Sequence, residues 1–197
     1  MSRWILASAS PRRKELLHQM GLTFEIIPAA GEEKSTRKDP EHYVTELAEH
    51  KAKEVFQRVL PEMTETVIVI GSDTIVVLGD RILGKPKDRG EAFEMIRALQ
   101  GREHQVMTAV ALCWTDEEGA VHRDSFCSIT EVSVNAMSGE EIRNYLATGE
   151  ADDKAGAYGI QGTFGMYVAG IRGSYHGVVG LPTAALYQRL KANGLWQ

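Results

Sequence analysis

Residues 66–78 read Thr66-Val67-Ile68-Val69-Ile70-Gly71-Ser72-Asp73-Thr74-Ile75-Val76-Val77-Leu78, the most apolar run in the chain. Branched aliphatic residues fill both of its halves. That pattern predicts a buried strand, or two strands broken at Gly71-Ser72-Asp73-Thr74. Gly79-Asp80 then signals a hairpin. Asp73 is the anomaly. A carboxylate inside an apolar strand must be paired, metal-bound or placed at a strand end facing an opening. Apolar residues continue on both sides of it, which favours a chemical role over a turn cap.

Working outward toward the N-terminus, Arg3–Ala7 reads as a first strand. Ser8-Ala9-Ser10-Pro11-Arg12-Arg13-Lys14 then opens a helix, with Ser10 as N-cap and Pro11 at the first helical position, where no amide is needed. That helix runs to about Met20 and stops at Gly21. Residues 22–27 read as a second strand. A long helix spans about Pro40 to Val59, with Val44, Ala48, Ala52, Val55 and Val59 at helical spacing.

Outward in the other direction, Asp88 caps a helix through about Gln100. Strands follow at 103–114 and 121–134. Ser138 and Glu141 form a capping box for a helix to about Thr148. Residues 164–171 read as a strand, and Pro182 starts a last helix to about Asn193. Hairpins and crossovers alternate, so the sheet should be mixed and the class α/β.

Composition narrows the function. The 197 residues are 43% hydrophobic and 25% charged, which excludes intrinsic disorder and suits one domain. The net charge of −5 disfavours long nucleic acids as partners. Four of the 22 basic residues, however, fall in the first fourteen positions with no acid among them, leaving 18 basic against 27 acidic residues in the rest. A local anion site is implied. No apolar run approaches a membrane span or a signal-peptide core. Cys113 and Cys127 form no metal or disulfide pattern, so a reducing compartment, the cytoplasm, is expected.

Several segments carry chemistry. The first turn after Ser8 combines free helix amides with two guanidiniums, a natural site for a polyphosphate. Cations oppose the dipole at that helix end, so Arg12 and Arg13 are poorly explained as surface residues. Lys51 shares a stripe with Leu47 and Val55, and must either snorkel to solvent or point into a site. Gly84-Lys85-Pro86 joins a flexible backbone to a cation. Glu32-Glu33 offers a carboxylate to a divalent ion. Residues 153–165 hold four glycines around Tyr158 and Gln161, which suggests a loop approaching a flat ligand. No P-loop, serine elbow or paired-histidine motif is present.

In this order and spacing, these motifs resemble the Maf family of nucleotide pyrophosphatases. The likeness runs from Leu6-Ala7-Ser8-Ala9-Ser10-Pro11-Arg12-Arg13 through Glu33, Lys51-Ala52, Gly71-Ser72-Asp73-Thr74 and Gly84-Lys85-Pro86. It continues to Asp153-Lys154-Ala155-Gly156-Ala157-Tyr158-Gly159-Ile160-Gln161-Gly162 and Gly180-Leu181-Pro182. The resemblance implies one bilobed domain over 1–197, an elongated mixed sheet flanked by helices with a central cleft, as in inosine triphosphate pyrophosphatases. It implies hydrolysis of nucleoside triphosphates to monophosphate and pyrophosphate with Mg²⁺ or Mn²⁺. Arg13, Thr74 and Gln161 match the branch that takes dTTP and UTP.

By the same resemblance, Ser8 and Arg12 hold phosphates, and Lys51 and Lys85 neutralise the leaving group. Asp73 is the proton acceptor or a metal ligand beside Glu33. A homodimer and a link to inhibition of septum formation are further family expectations. A non-catalytic nucleotide-binding regulator is the competing reading.

Overall fold

The computed structural model of the chain describes residues 2–31, 35–62 and 66–196. Its elements are β1 (Arg3–Leu6), α1 (Pro11–Gln19), β2 (Glu25–Ile26), α2 (Pro40–Val59), β3 (Val67–Leu78), β4 (Arg81–Leu83) and α3 (Arg89–Leu99). They continue with β5 (Glu103–Thr115), β6 (Val121–Val134), α4 (Gly139–Ala147), β7 (Val168–Arg172), α5 (Tyr175–Val179) and α6 (Thr183–Ala192). The strands form a mixed sheet in the order β2-β1-β3-β5-β6-β7, with β4 paired to β3. β1 runs parallel to β2 and β3, while the β3–β4 and β6–β7 pairs are antiparallel. The mixed α/β class expected from the sequence is the one observed.

The central apolar run is one continuous strand of 12 residues, not two. Glycine and aspartate are poor strand formers, yet the ladder continues through both. The reason is tertiary, and it lies in what Gly71 packs against. Two further differences concern the C-terminal third. The strand expected at 164–171 begins as a 3-10 turn over Thr163–Tyr167, with β7 only at Val168–Arg172. The short helix α5 has too few residues for a helical period to show.

The chain forms two compact units. The first comprises Met1–Asp73, Thr108–Ser128 and Gly180–Gln197; the second comprises Thr74–Met107 and Ile129–Val179. In the first unit, α2 buries Val44, Leu47, Ala48, Ala52, Val55, Phe56 and Val59, at intervals of three and four residues. Asp39 caps the helix by accepting from His42 N at 3.0 Å, and Pro40 fills the first turn. In the second unit, α3 and α4 contribute Ile96, Leu99, Ile142 and Tyr145 to a core that also takes Val106, Val132 and Phe164 from the strands and the 3-10 turn. The capping box of Ser138 and Glu141 is present. Among the described residues, no helix is long and apolar enough to cross a membrane.

Candidate active site

In the first unit, β1 delivers Ser8 to its own carboxyl end. The parallel register pairs Leu6 with Ile70, and Ala7 N donates to Ile70 O at 2.8 Å. The residues just past β1 therefore lie beside Gly71, Ser72 and Asp73. Ligands of open α/β sheets bind at such strand ends. Ser8 is 8% exposed, and its Oγ accepts from Ser10 N at 3.2 Å and from Arg13 Nη1 at 3.1 Å. Ser10 caps α1 and Pro11 opens it, as the sequence requires. The first turn holds no acid, and Arg12 and Arg13 are half-buried in it.

Arg13 reaches further. Its Nε donates to Gly180 O at 2.9 Å, and Ser72 Oγ donates to the same carbonyl at 3.3 Å. Gly180 has φ +132°, a conformation closed to other residues at ordinary cost. One carbonyl thus ties the α1 turn to the strand residue next to Asp73.

Lys51 resolves toward the site and away from solvent. Its Nζ donates to Asp73 Oδ1 at 2.6 Å, and the two side chains are only 14% and 12% exposed. The close approach of α2 to β3 makes this reach possible. A Cβ built on Gly71 would lie 2.5 Å from Ala48 O and 2.7 Å from Ala52 N. Only a residue without a side chain lets the helix backbone sit on the strand, which puts Lys51 over Asp73.

The second unit carries Thr74, Lys85 and Gln161. Thr74 is half-buried in β3, and Lys85 is exposed after β4. The Lys85 segment is pinned to the glycine-rich loop: Gly156 N donates to Gly84 O at 3.0 Å. Gln161 is exposed in a turn of that loop. Tyr158 anchors the loop to β5, with its hydroxyl 2.7 Å from His104 Nε2.

Glu33, expected as a metal ligand, lies outside the described residues. Among the described residues no group of three His, Cys, Asp or Glu side chains is placed to hold a metal. Cys113 is buried and Cys127 half-buried, both as free thiols.

His104 went unnoticed in the sequence because it belongs to no ligand-spaced pair. It is 3% exposed, its Nδ1 is buried without a partner among the described residues, and burial pushes its pKa down to about 4. A histidine unfolds toward a pKa near 6.5. Its contribution to stability is therefore full above about pH 6.5 and is lost as pH falls from there to about 4. The expected loss is about 3 kcal/mol across that window. Urea unfolding from pH 7.5 to 4 should show it, and His104→Phe should flatten that portion of the profile. An unchanged profile in the variant would assign the acid sensitivity elsewhere.

The family model described as Maf-like protein matches residues 3–193. The chain belongs to the Maf family. Maf relatives include a dTTP/UTP pyrophosphatase of Agathobacter rectalis, 45% identical over 203 residues and covering 99% of each chain. A dTTP/UTP pyrophosphatase of Thermoanaerobacter sp. (strain X514) is 48% identical over 187 residues, 95% of this chain and 94% of that one. A dTTP/UTP pyrophosphatase of Salmonella typhimurium is 44% identical over 191 residues, 96% of this chain and 92% of that one. Among solved structures, a nucleoside-triphosphatase / dITP/XTP pyrophosphatase of Mycobacterium abscessus is similar at TM-score 0.38 and 14% identity, covering 98% of this chain and 97% of that one.

Proposed function

We infer that the chain is a nucleoside triphosphate pyrophosphatase that takes dTTP and UTP. The observation that carries this reading is the Lys51–Asp73 pair at 2.6 Å, two residues of opposite charge held almost out of water beside an arginine-bearing helix N-terminus. A structural ion pair has no need of Arg12 and Arg13 next to it. A polyphosphate does. The names of relatives more than 40% identical over nearly full length agree.

The residues divide the work. Ser8, Arg12 and the amides of α1 bind phosphate oxygens. Lys51 trades its bond to Asp73 for a phosphate oxygen, which frees the carboxylate. Asp73 then takes a proton from the attacking water. A P–O bond forms at the α-phosphorus and the α–β bridging bond breaks. Pyrophosphate leaves with its charge met by Lys51 and Lys85. Gln161 reads the base, since one side-chain amide can accept from N3–H and donate to O4 of uracil or thymine. One 5-methyl group is worth only about 1–3 kcal/mol, so dTTP and UTP are both taken.

A divalent cation, Mg²⁺ or Mn²⁺, completes the reading. The donor set fits an ion of this kind, which binds through one or two carboxylates plus substrate phosphates. Asp73 is a nearly buried oxygen donor of that sort, and Glu33 is its proposed companion. When bound, the ion neutralises the phosphates and favours loss of pyrophosphate.

A panel of dTTP, UTP, CTP, dCTP, GTP and ATP with Mg²⁺ or Mn²⁺ tests this. Pyrophosphate should appear, chiefly from dTTP and UTP, and a chelator should stop its release. Release of orthophosphate would exclude the reaction. Saturable dTTP binding without metal-dependent hydrolysis would make the chain a nucleotide-binding regulator instead.

A further inference from the structure

Gln161 sits in a loop whose shape is set by the turn that follows α4. Glu150 in that turn brackets Thr163. Its Oε1 accepts from Thr163 Oγ1 at 2.8 Å, and its Oε2 accepts from Thr163 N at 2.9 Å. The carboxylate fills the space where a side chain at position 162 would be: a Cβ on Gly162 would lie 2.0 Å from Glu150 Oε2. Gly162 has φ −96°, open to any residue, so space and not backbone angle demands glycine.

The other flank repeats the arrangement. A Cβ on Gly159 would lie 2.7 Å from Lys154 Cε. Lys154 is itself held, with Nζ donating to Glu150 O at 2.5 Å and to Asp153 Oδ1 at 2.7 Å. Two glycines either side of Ile160-Gln161 are thus each seated on a side chain from the 150–154 turn. Gly162 N donates to Gly159 O at 3.3 Å and closes the bend between them. Gln161 is left exposed at its crest. An amide that must match both a donor and an acceptor on one base needs this kind of fixed presentation.

The geometry points to Glu150 as a positioning residue for base selectivity, acting through Thr163 and Gly162 on Gln161. This rests on the base-reading role of Gln161 proposed above. A carboxylate that only capped the 3-10 turn would influence stability and leave selectivity alone.

The test compares kcat and KM for UTP and CTP in the wild type, Glu150→Ala, Glu150→Gln, Gly162→Ala and Gln161→Ala, with pyrophosphate release as readout and thermal melting alongside. In Glu150→Ala the UTP-over-CTP ratio of kcat/KM should fall about tenfold, the net worth of about one oriented hydrogen bond. The loss should sit in KM for UTP more than in kcat. Glu150→Gln keeps one acceptor oxygen and should fall between. Gly162→Ala displaces the carboxylate and should match Glu150→Ala.

A lower melting temperature with an unchanged ratio in folded Glu150→Ala overturns the proposal. If Gln161→Ala keeps the wild-type ratio, the base-reading role itself is wrong, and the role of Glu150 falls with it. If Gln161→Ala lowers the ratio and Glu150→Ala does not, only the Glu150 proposal is lost.

Discussion

Asp73→Asn should lower pyrophosphate release from dTTP by about 10²–10⁴-fold, the range for removing a positioned proton acceptor. The amide keeps the size of the carboxylate and an oxygen for Lys51 Nζ. It loses the negative charge and the basicity. The fold should persist, because the strand is set by its apolar neighbours and by Gly71, not by the side chain at 73. Single-turnover assays and circular dichroism on the same sample would show both facts. The metal dependence of the residual activity separates the two roles of the carboxylate. A proton acceptor leaves the metal requirement unchanged, whereas a ligand raises it. Near-normal turnover in Asp73→Asn would remove the residue from the mechanism.

Gly71→Ala is expected to have the next largest effect, and on stability as well as rate. The added methyl meets Ala48 O and Ala52 N at 2.5 and 2.7 Å. Both are helix backbone atoms and cannot swing away as a side-chain tip would. Overpacking of this kind costs about 1–3 kcal/mol. For a chain of this length each kilocalorie shifts the melting temperature by roughly 2–4 °C, so a loss of roughly 2–12 °C is expected. Relief requires α2 to move off β3, which takes Lys51 away from Asp73. Activity should therefore fall further than the loss of folded protein explains. A melting temperature within a degree of wild type would show that the strand can yield, and the glycine requirement would fail.

These two variants also mark what the sequence makes legible. Helical spacing locates α2 from Pro40 to Val59, and it is found over those residues. Alternation and turn residues locate β6 at 121–134, also as found. Such elements are decided by local patterns that one face of one element can satisfy. The continuity of β3 is not local. Gly71 and Asp73 argue for a break when the strand is read alone, and only α2 explains why it runs on. Lys51 was ambiguous for the same reason, since a stripe position does not say what lies opposite it.

Within the site, Ser8 is bonded to Arg13 and Lys51 to Asp73, pairings that the order of the motifs does not itself specify. The partners that fix them were harder to see. Ser72 works through a hydroxyl on a backbone carbonyl more than a hundred residues away. Glu150 reads in sequence as one more acid after a helix. His104 carries no spacing signal, and its burial against Tyr158 belongs to tertiary structure alone. Side chains that bind backbone leave little trace in a motif.

The carbonyl of Gly180 has a last consequence, concerning time. Its two donors come from residues 13 and 72, while the acceptor arrives after the whole second unit has been threaded through the chain. During synthesis the early strands and α2 can collapse, but the arginine turn cannot acquire this acceptor until residue 180 has emerged. Long sequence separation of this kind slows folding, because the loop must close before its contacts reward it. A half-made chain therefore presents its basic turn without this tether, and it is the arrival of the final segment that fastens the turn to the strand residue beside Asp73.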